Sequence, residues 1–528
     1  MRWLGVLALL GGCGGMHADP PGPGGVALVL DIPNGPLDPK GFTTVEIVLH
    51  GPTGDETRTA SVGTGNTFDL GTIDPTGSVS IEATLRNDSG AAVGYGRTAV
   101  GAAFTGGAQI TVPVRRPIAY IAGTVSNDIS PPTSQTPELH WTEAPATFSD
   151  LSVTTNLDGK TQLGGPVVLM VSAGPNLYSI TQAVGETDGV LTGPAKLVPV
   201  STADHTASEA LAGAVTGGVL DGAGTVDGTQ LVIGTTTQLF AVDTRTGAAT
   251  ALTDGSFARV AVLTSEAGEV DAVAIKNRSV MPAAACPASA ELWWAPVSGG
   301  PAGVTAHRVA IGGFTDLATD RGHAYFVDAC KGELGELTSD GIRTLRTLTA
   351  PGAAAGAARA TALAVSNGQA YVGVETPPAT TSLLVASMGT TDEPRTLWNE
   401  SAQQVLDAPD FPGVERKLDA SSATFNHLEV GAGGDYVALT TTAHLHGGAV
   451  TEANFPEMTI DTDELRVFDA ATGGAVQRYR SWCDGVFIVT RSLDIDNWEC
   501  AATVGQTEPA DGSYEHKISS MTFQFGKK

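Results

Sequence analysis

The sequence has few charged residues, and most of those are acidic. Asp, Glu, Lys and Arg make up 16% of the 528 residues, compared with about 25% in an average globular protein. The 29 Lys and Arg residues are outnumbered by 56 Asp and Glu, which gives a formal charge of −27. A basic patch is what releases counterions from phosphates, and no Lys/Arg cluster is longer than the pair Arg115-Arg116. We therefore do not expect nucleic acid as a partner.

Familiar catalytic and cofactor motifs are also missing from the sequence. It contains no Gly-x-Ser-x-Gly, His-Glu-x-x-His or Gly-x-x-x-x-Gly-Lys-Ser/Thr motif, which are the signatures of nucleophile elbows, zincins and phosphate loops. No Cys-x-x-Cys pair occurs, which argues against a zinc ribbon or a thioredoxin-like centre. We therefore assign no catalytic residue and no cofactor.

Long apolar runs are absent after residue 10, so a lipid would have to supply any attachment to a membrane. The first residues resemble a short export signal instead. Met1-Arg2 gives a positive start, residues 3–10 are apolar, and Gly11-Gly12 are small, as signal cleavage requires. With the following Cys13, the segment resembles the lipobox of bacterial lipoproteins.

This resemblance implies a signal peptide at residues 1–12 and lipidation of Cys13. The segment before the cysteine is shorter than the usual signal of about 15–30 residues, so an ordinary cleaved signal remains an alternative. Residues 13–25 are rich in Gly and Pro and predict a flexible tether. The resemblance thus implies an exported protein that is lipid-anchored to the bacterial cell envelope, with the outer membrane favoured.

Four further cysteines are an even number in a chain expected to be exported, which is where disulfides form. Three pairings are possible. We favour Cys483 with Cys500, because they flank a short turn-like segment, and Cys286 with Cys330, which would join a Pro/Ala loop to the end of a strand.

Residues 26–115 alternate apolar with polar residues in short segments separated by turn clusters, which is the pattern of half-buried strands. The clearest segments are residues 26–30, 45–49, 79–85 and 110–114. About seven such strands in about 90 residues predict a small β-sandwich. The pattern resembles immunoglobulin-like or prealbumin-like modules.

Residues 118–528 repeat a strand, a turn and a second strand at six places. The pairs are 167–171 with 176–180, 231–234 with 238–243, 272–275 with 291–297, 324–327 with 335–337, 370–374 with 382–386, and 436–439 with 465–468. Two of the following turns, at Asp243 and Asp469, have the sequence Asp-x-x-Thr-Gly. Helical patterns are limited to short segments such as 208–215.

A four-stranded unit that recurs every 40–50 residues or so is typical of a β-propeller blade. The repeat resembles the divergent propellers of exported bacterial proteins. The fold class is thus predicted to be all-β, a small β-sandwich followed by a β-propeller, with six blades favoured and seven possible. Residues 118–122 and 521–525 are candidate strands that complete the ring.

The densest group of metal-ligand residue types is His444-Leu445-His446, with His427 and Glu452 nearby in the sequence. Such a group could bind zinc or another transition metal. It lies in a long insertion, however, and we favour solvated loop histidines, so no metal is assigned and these three histidines remain weak candidates. The acidic segments 461–464 and 494–499 lack the pattern of a calcium loop and are expected to be exposed turns.

The tryptophan pair Trp293-Trp294 could form an aromatic platform for a sugar. In a strand, however, successive residues point to opposite faces, so one ring of such a pair usually enters the core. We favour the core interpretation.

These features favour a lipid-anchored cell-envelope binding or scaffold protein whose propeller face contacts a protein or polysaccharide. The alternative is an exported propeller enzyme, a hydrolase or lyase, with its site at the central channel. A purely structural surface protein also remains open. The position of the titratable groups would distinguish an enzyme from the other two, because an enzyme needs several such groups from different blades to meet at one pocket.

Overall fold

The computed structural model describes the part of the chain with regular secondary structure and many of its turns. The described residues are 27–31, 42–51, 54–61, 67–69, 80–87, 92–98, 109–114, 118–126, 135–143, 159–162, 167–173, 176–184, 191–201, 206–225, 227–264, 269–277, 289–298, 305–320, 322–348, 359–366, 368–376, 380–390, 392–402, 404, 418–431, 436–447, 458–470, 475–484, 487–489, 496–498 and 515–524. Within these ranges, no helix has the length and apolar character needed to cross a membrane.

The N-terminal part of the described chain forms two sheets. One has the order β4-β1-β7 and the other β3-β2-β5-β6. The strands are β1 (Ala27–Asp31), β2 (Phe42–Gly51), β3 (Gly54–Ser61), β4 (Thr67–Asp69), β5 (Ser80–Asn87), β6 (Ala92–Arg97) and β7 (Gln109–Pro113).

The two sheets pack around a shared apolar core. Leu28 of β1 and Ile110 of β7 are buried in the same cluster as Val45, Ile47 and Ile81 of the other sheet. Val45, Ile47 and Ile110 alternate with exposed or partly exposed residues along their strands, because successive residues of a strand face opposite sides. The predicted β-sandwich is confirmed, and its resemblance to immunoglobulin-like modules stays a prediction.

Seven four-stranded sheets follow between residues 118 and 524 of the described chain. We number them in chain order. Sheet 1 contains β11 (Val167–Ala173), β12 (Asn176–Val184), β13 (Leu191–Val200) and β14 (Ala214–Val215); sheet 2 contains β15 (Val219–Gly224), β16 (Gln230–Thr235), β17 (Gln238–Asp243) and β18 (Ala249–Asp254); sheet 3 contains β19 (Phe257–Thr264), β20 (Val270–Lys276), β21 (Ala290–Ser298) and β22 (His307–Gly312).

The remaining four sheets complete the set. Sheet 4 contains β23 (Phe314–Asp320), β24 (His323–Asp328), β25 (Glu333–Thr338) and β26 (Gly341–Thr347); sheet 5 contains β27 (Arg359–Ser366), β28 (Gln369–Thr376), β29 (Thr380–Ser387) and β30 (Arg395–Ser401); sheet 6 contains β31 (Leu418–Gly431), β32 (Tyr436–Gly447), β33 (Met458–Asp469) and β34 (Ala475–Asp484); sheet 7 contains β37 (Glu515–Gln524), β8 (Ile118–Ser126), β9 (Gln135–Glu143) and β10 (Gly159–Gln162). A separate hairpin is formed by β35 (Phe487–Val489) and β36 (Asp496–Trp498).

The first strands of successive sheets contact one another and close a ring. The contacts run from β11 through β15, β19, β23, β27 and β31 to β37, which contacts β11 again. We call these seven strands the inner strands. Closure in a ring removes the exposed sheet edges that would otherwise promote aggregation, and the architecture is that of a β-propeller.

Sheet 7 joins the two ends of the propeller region. Its inner strand β37 comes from the C-terminal end, whereas β8, β9 and β10 come from the N-terminal end. Tyr120 pairs with Thr522 across β8 and β37, and Tyr120 is fully buried in the same apolar cluster as Met170 and Leu177 of sheet 1. The predicted ring-completing segments are therefore paired as expected.

The six strand pairs predicted from the sequence are all paired in the structure. They were recognisable because the middle strands of a sheet are buried on both faces. Leu231 to Thr235 of β16 are all buried, whereas the outer strand β26 is mostly exposed. Outer strands carry Thr and Arg in place of apolar runs and give a weaker signal.

The Asp-x-x-Thr-Gly turn predicted after β17 is also observed. Asp243 Oδ1 accepts hydrogen bonds from the backbone N–H groups of Arg245 and Thr246 and from the Thr246 hydroxyl. Gly247 has φ 74°, a left-handed conformation that favours glycine. The second copy, 469–473, lies largely outside the described residues.

One helical prediction and one loop prediction are wrong. Residues 208–215 are not helical, because the backbone N–H groups of Ser208 and Leu211 donate to carbonyls of β13 and Ala214–Val215 forms β14. Pairing with a neighbouring strand outweighs a weak helical propensity. His444 and His446 lie within the strand β32 rather than in a loop, because both neighbouring strands are long enough to pair with it there.

The cysteine predictions fall mostly outside the described residues. Cys330, in the turn after β24, is disulfide-bonded. Cys286 and Cys500 lie outside the described residues, as do Cys13 and the rest of residues 1–26. Cys483 belongs to the strand β34. The two pairings, the signal peptide and the lipidation therefore stay predictions.

Candidate functional site

Every inner strand of the ring has a register shift against its neighbour in the sheet. One extra residue lies on the inner strand, which makes a β-bulge that bends the strand and changes where the next side chain points. The shifts lie between Val167 and Leu169, Val219 and Asp221, Phe257 and Arg259, Phe314 and Asp316, Ala360 and Ala362, Phe425 and His427, and Ile518 and Ser520.

The residue that follows each bulge therefore occupies an equivalent position in all seven sheets. In four neighbouring or near-neighbouring sheets it is a titratable residue, namely Asp221, Arg259, Asp316 or His427. We call these four residues the inner row. Their backbone positions are equivalent, and for Asp221, Arg259 and Asp316 the structure also describes the side-chain contacts.

Two aspartates of the inner row connect their sheet to the next one. The backbone N–H of Val260 in β19 donates to Asp221 Oδ2 with an N···O distance of 2.8 Å. In the same way, the backbone N–H of Leu363 in β27 donates to Asp316 Oδ2 at 2.7 Å. In both cases the donor is the second residue after the bulge of its own strand, so the two links are structurally equivalent.

Arg259 lies between these two aspartates in the ring. Its Nε is 3.0 Å from Asp316 Oδ1, and the two side chains are only 21% and 13% exposed. Arg259 Nη1 also donates to the carbonyl of Ala258. The ion pair joins sheet 3 to sheet 4, and charge-assisted bonds of this type are stronger than bonds between neutral groups.

Burial and neighbouring charges shift the pKa values of Asp221 and Arg259 in opposite directions. Burial raises the pKa of the Asp221 carboxyl above its ordinary value, and Arg259 offsets only part of that effect. Burial also lowers the pKa of Arg259, but the nearby Asp316 and Asp221 more than compensate, so that pKa is raised. The arginine therefore stays charged, whereas Asp221 holds its proton more tightly than an exposed aspartate does.

A carboxyl with a raised pKa beside a fixed guanidinium is an arrangement that general acid–base catalysis uses. Here, however, both aspartates already accept backbone hydrogen bonds from the following sheet. Their contribution in the described structure is to hold adjacent inner strands in register. Chemistry at this level would have to use the remaining acceptor positions.

Glu375 makes a related link one sheet further along the ring. Its Oε1 accepts hydrogen bonds from the Thr361 hydroxyl and from the backbone N–H of Phe425 at 2.9 Å. Thr315 and Thr319 also donate to backbone carbonyls of neighbouring sheets, those of Ala360 and Val262. Polar side chains thus connect successive sheets from sheet 2 to sheet 6.

The sequence contained a signal for the inner row that the strand-pair pattern did not use. Four inner strands share a triplet of an apolar residue, any residue and then a charged or titratable residue. The triplet begins β15, β19 and β23 and lies within β31, as Val219-Leu220-Asp221, Phe257-Ala258-Arg259, Phe314-Thr315-Asp316 and Phe425-Asn426-His427. A search for internal repeats at the start of each unit would have aligned these triplets.

The sequence-predicted candidates are not brought together as a group. His427 belongs to the inner row and pairs with Thr440, whereas His444 and His446 lie further along β32. Thr440, the partner of His427, is four residues before His444 on β32. At about 3.3 Å per residue, this places the two histidines roughly 13 Å apart along the strand direction. Residues 461–464 lie in the strand β33, not in the expected exposed turn, because they pair with β32.

The tryptophan pair follows the favoured interpretation. Trp294 is buried in the core between sheets 3 and 4. Trp293 packs partly buried against Phe257, its Nε1 donates to Glu291 Oε2, and Lys276 Nζ lies 4.7 Å from its ring centroid. Neither ring forms a free platform for a sugar. Among side chains that the structure describes, no group of three or more His, Cys, Asp and Glu could hold a metal ion.

Comparison with known proteins shows that the chain is similar to several solved structures. The chain is similar to the periplasmic gluconolactonase PpgL of Pseudomonas aeruginosa, with 12% identity, 69% of this chain and 95% of that chain covered, and a TM-score of 0.39. It is also similar to apo AztD from Citrobacter koseri, with 12% identity, coverage of 78% and 100%, and a TM-score of 0.35. No protein-family model matches the sequence, and no curated protein is significantly similar to it.

Proposed function

We propose that the protein is a lipid-anchored binding protein of the bacterial cell envelope, in which the propeller is a rigid platform for a protein or polysaccharide partner. The observation that carries this proposal is the use of Asp221 and Asp316 as links between sheets. Because these carboxylates already bond the next sheet, they favour a structural role at the centre of the ring over a catalytic one. A binding site on the loop surfaces of the propeller is the function that fits this role.

The anchoring part of the proposal rests on the sequence around Cys13. It is tested by the intact mass and the detergent partitioning of the native protein and of a Cys13→Ala variant made in the same bacterium. We expect the acyl mass and the partitioning into detergent to be lost in the variant. Equal mass after allowance for the substitution, and equal partitioning, would overturn the lipid anchor.

The binding part is tested by cosedimentation of the purified protein with the two envelope fractions of the host, washed membranes and isolated polysaccharide. We expect saturable binding to one fraction that survives moderate salt, since a chain of charge −27 has no general attraction to anionic surfaces. Binding to neither fraction would contradict the proposal.

The second candidate function is an exported propeller enzyme, a hydrolase or lyase. The inner row favours it, because Asp221, Arg259, Asp316 and His427 occupy equivalent positions in different sheets. In this case the raised pKa of Asp221 would serve a general acid. Substitutions in the row would then abolish turnover without unfolding the chain.

A further inference from the structure

His307 begins the outer strand of sheet 3, at the junction between that strand and sheet 4. It is the first residue of β22 and pairs with Trp294 of β21. In sheet 4, the two-residue turn Ser339–Asp340 joins β25 to β26, and β26 contacts β22. His307 therefore lies where two neighbouring sheets meet on the outer side of the ring.

Both ring nitrogens of His307 lie at hydrogen-bond distance from backbone carbonyl oxygens. Nδ1 is 3.1 Å from the Thr305 oxygen, two residues earlier in the chain, and Nε2 is 3.0 Å from the Ser339 oxygen in the turn of sheet 4. A carbonyl oxygen only accepts hydrogen bonds, so each contact requires an N–H on the imidazole. The second contact joins the outer strand of sheet 3 to sheet 4.

Only the protonated ring can make both contacts at once. A neutral imidazole has one N–H and one nitrogen lone pair in either tautomer, whereas the imidazolium ion has two N–H groups. After loss of the proton, one of the two carbonyl oxygens faces a lone pair, and the hydrogen bond to Thr305 or to Ser339 is lost. The geometry thus couples the junction to the charge of His307.

The same contacts raise the pKa of His307. The carbonyl of Ser339 has the largest effect and that of Thr305 the next, and the Asp340 carboxylate in the turn adds to them. Partial burial acts in the opposite direction but is outweighed, so the pKa lies above the ordinary value of 6.5. The charged ring therefore persists to a higher pH than that of an ordinary exposed histidine.

Charged groups of sheet 3 flank His307 on both faces of the sheet. Arg308 is the next residue of β22, so its side chain lies on the opposite face, where it pairs with Glu291 of β21. Asp271 of β20 lies on the same face as His307, two positions beyond the row that contains it. Burial raises the pKa of Asp271 from 3.8, and the nearby Glu269 adds to this effect.

In sheet 4, Asp340 is the charged group beside the ring. Leu337 of β25 is buried in the same cluster as Trp294 of sheet 3, so the preceding residue, Glu336, faces away from sheet 3. Arg343 of β26 pairs with Glu336 on that far face. The charge of sheet 4 that acts on the ring is thus the Asp340 carboxylate, which favours the protonated form.

We propose that His307 is a proton-controlled latch between sheets 3 and 4. In its charged form it bonds the carbonyl of Ser339 and holds the β25–β26 turn against the outer strand of sheet 3. In its neutral form it releases one of its two carbonyls, and the turn opens more often. The outer side of the junction thus loosens as the pH rises, while the Arg259–Asp316 ion pair still holds the inner side.

The first test measures the titration of His307 in the folded full chain. The ten histidines are labelled with ¹³C at Cε1, and their NMR signals are followed from about pH 5 to about pH 9. The signal that is missing in His307→Gln belongs to His307. We expect its midpoint above 6.5, and a midpoint at or below that value overturns the proposal.

The second test measures amide hydrogen exchange in the β25–β26 turn of the full chain, corrected for the intrinsic effect of pH on exchange. Protection in the wild type should fall about three- to tenfold as the pH rises through the midpoint of His307, since one hydrogen bond is lost. His307→Leu should have the low protection at every pH. Asp340→Ser is the matched control, because it keeps the Ser339 carbonyl, and its protection should still fall with pH.

Two results of the exchange measurement contradict the latch. Protection that does not change with pH in the wild type overturns it without reference to any variant. A pH dependence that His307→Leu retains and Asp340→Ser abolishes would assign the effect to the Asp340 carboxylate and would also overturn it.

Discussion

Arg259 Nε lies 3.0 Å from Asp316 Oδ1, and this ion pair connects two neighbouring sheets of the ring. The other carboxylate oxygen of Asp316 accepts the backbone N–H of Leu363 in the next sheet. One aspartate thus contacts three consecutive sheets. These two contacts of Asp316 help to fix the relative positions of the inner strands of sheets 3, 4 and 5.

The Arg259–Asp316 pair is expected to contribute to stability as a coupled unit. Replacing either residue, by Arg259→Met or Asp316→Asn, should lower the free energy of unfolding by about 2 kcal/mol, since hydrogen bonds to charged groups contribute about that much. The double variant should cost less than the sum, with a coupling of about 1 kcal/mol. Urea unfolding of the four proteins gives the cycle.

The exposed pair Arg58–Glu56 in the sandwich is the matched control. Glu56 has a side chain that is 61% exposed, and exposed pairs contribute little. Glu56→Gln should therefore leave the unfolding free energy nearly unchanged. A strictly additive cycle for Arg259 and Asp316 would show that the two residues do not act together.

The stability of the propeller should depend on the protonation of Asp221. Its folded pKa is raised above the ordinary value of 3.8, so the folded protein binds this proton more tightly than the unfolded chain does. The stability that the folded protein gains from binding this proton is fully present below pH 3.8. It is lost as the pH rises through the raised pKa of the folded state. Asp221→Asn keeps an oxygen for the Val260 N–H and should remove this part of the pH dependence.

The measurement is the unfolding free energy of wild type and Asp221→Asn at a series of pH values above 3.8. The difference between the two proteins should shift in favour of the variant as the pH rises. A difference that does not change with pH would show that the Asp221 carboxyl titrates alike in the folded and unfolded protein.

Gln182 is expected to be a strong link between sheets 1 and 2. This side chain is 2% exposed; its Nε2 donates to the carbonyls of Gly193 and Gly217, and its Oε1 accepts the Val219 N–H. Gln182→Leu removes three hydrogen bonds and leaves the buried Val219 N–H without its acceptor, which should cost about 3 kcal/mol. Gln238→Leu, at an exposed amide that bonds Asp254, is the control and should change stability by less than about 0.5 kcal/mol.

Thermal unfolding compares the two glutamine variants most simply. Gln182→Leu should lower the thermal midpoint by several degrees, and Gln238→Leu should leave it within error of the wild-type value. Equal midpoints for both would show that water satisfies the backbone groups around Gln182 equally well.

Sheet 4 should lose stability in acid because of Glu336. Burial raises the pKa of this carboxyl, but hydrogen bonds from His323 and Arg343 outweigh that effect, so the pKa is lowered from its ordinary value of 4.5. The stabilisation is present above pH 4.5 and is lost as the pH falls through the lowered folded value. Glu336→Gln should unfold with a weaker dependence on pH in this window.

Acid titrations of wild type and Glu336→Gln, followed by circular dichroism, check this expectation. The wild type should be more stable than the variant at neutral pH by about 1 kcal/mol, and the two curves should converge in acid. Parallel curves would assign the acid sensitivity of the sheet to other groups.

The middle strands of the sheets could be predicted from the sequence because both of their faces are buried. Runs such as Leu231 to Ile233 and Ala272 to Ile275 are continuous, apolar and too short for a helix, which is the pattern of a strand buried on both faces. The closing strands were also recognisable, since an unpaired apolar segment at each end of the repeats implies that they pair together. Tyr120 and Thr522 confirm this.

The inner row could not be predicted in the same way, because its position depends on a bulge. A single extra residue before Asp221, Arg259 or Asp316 decides which sheet each side chain reaches, and a bulge has no composition of its own apart from its context. The register of sheet 6 was hidden for a related reason. Nothing in the spacing of His444 and Asp461 shows that they pair across two long strands.

The most direct test of the binding function measures bound protein and released saccharide in the same incubation with isolated envelope polysaccharide. The wild type and the Asp221→Asn/His427→Gln double variant are compared at equal concentrations of folded protein. If the propeller is a binding platform, both proteins bind to the same extent and neither releases soluble saccharide. Release by the wild type that the folded double variant has lost would contradict the binding function and establish the enzyme in its place.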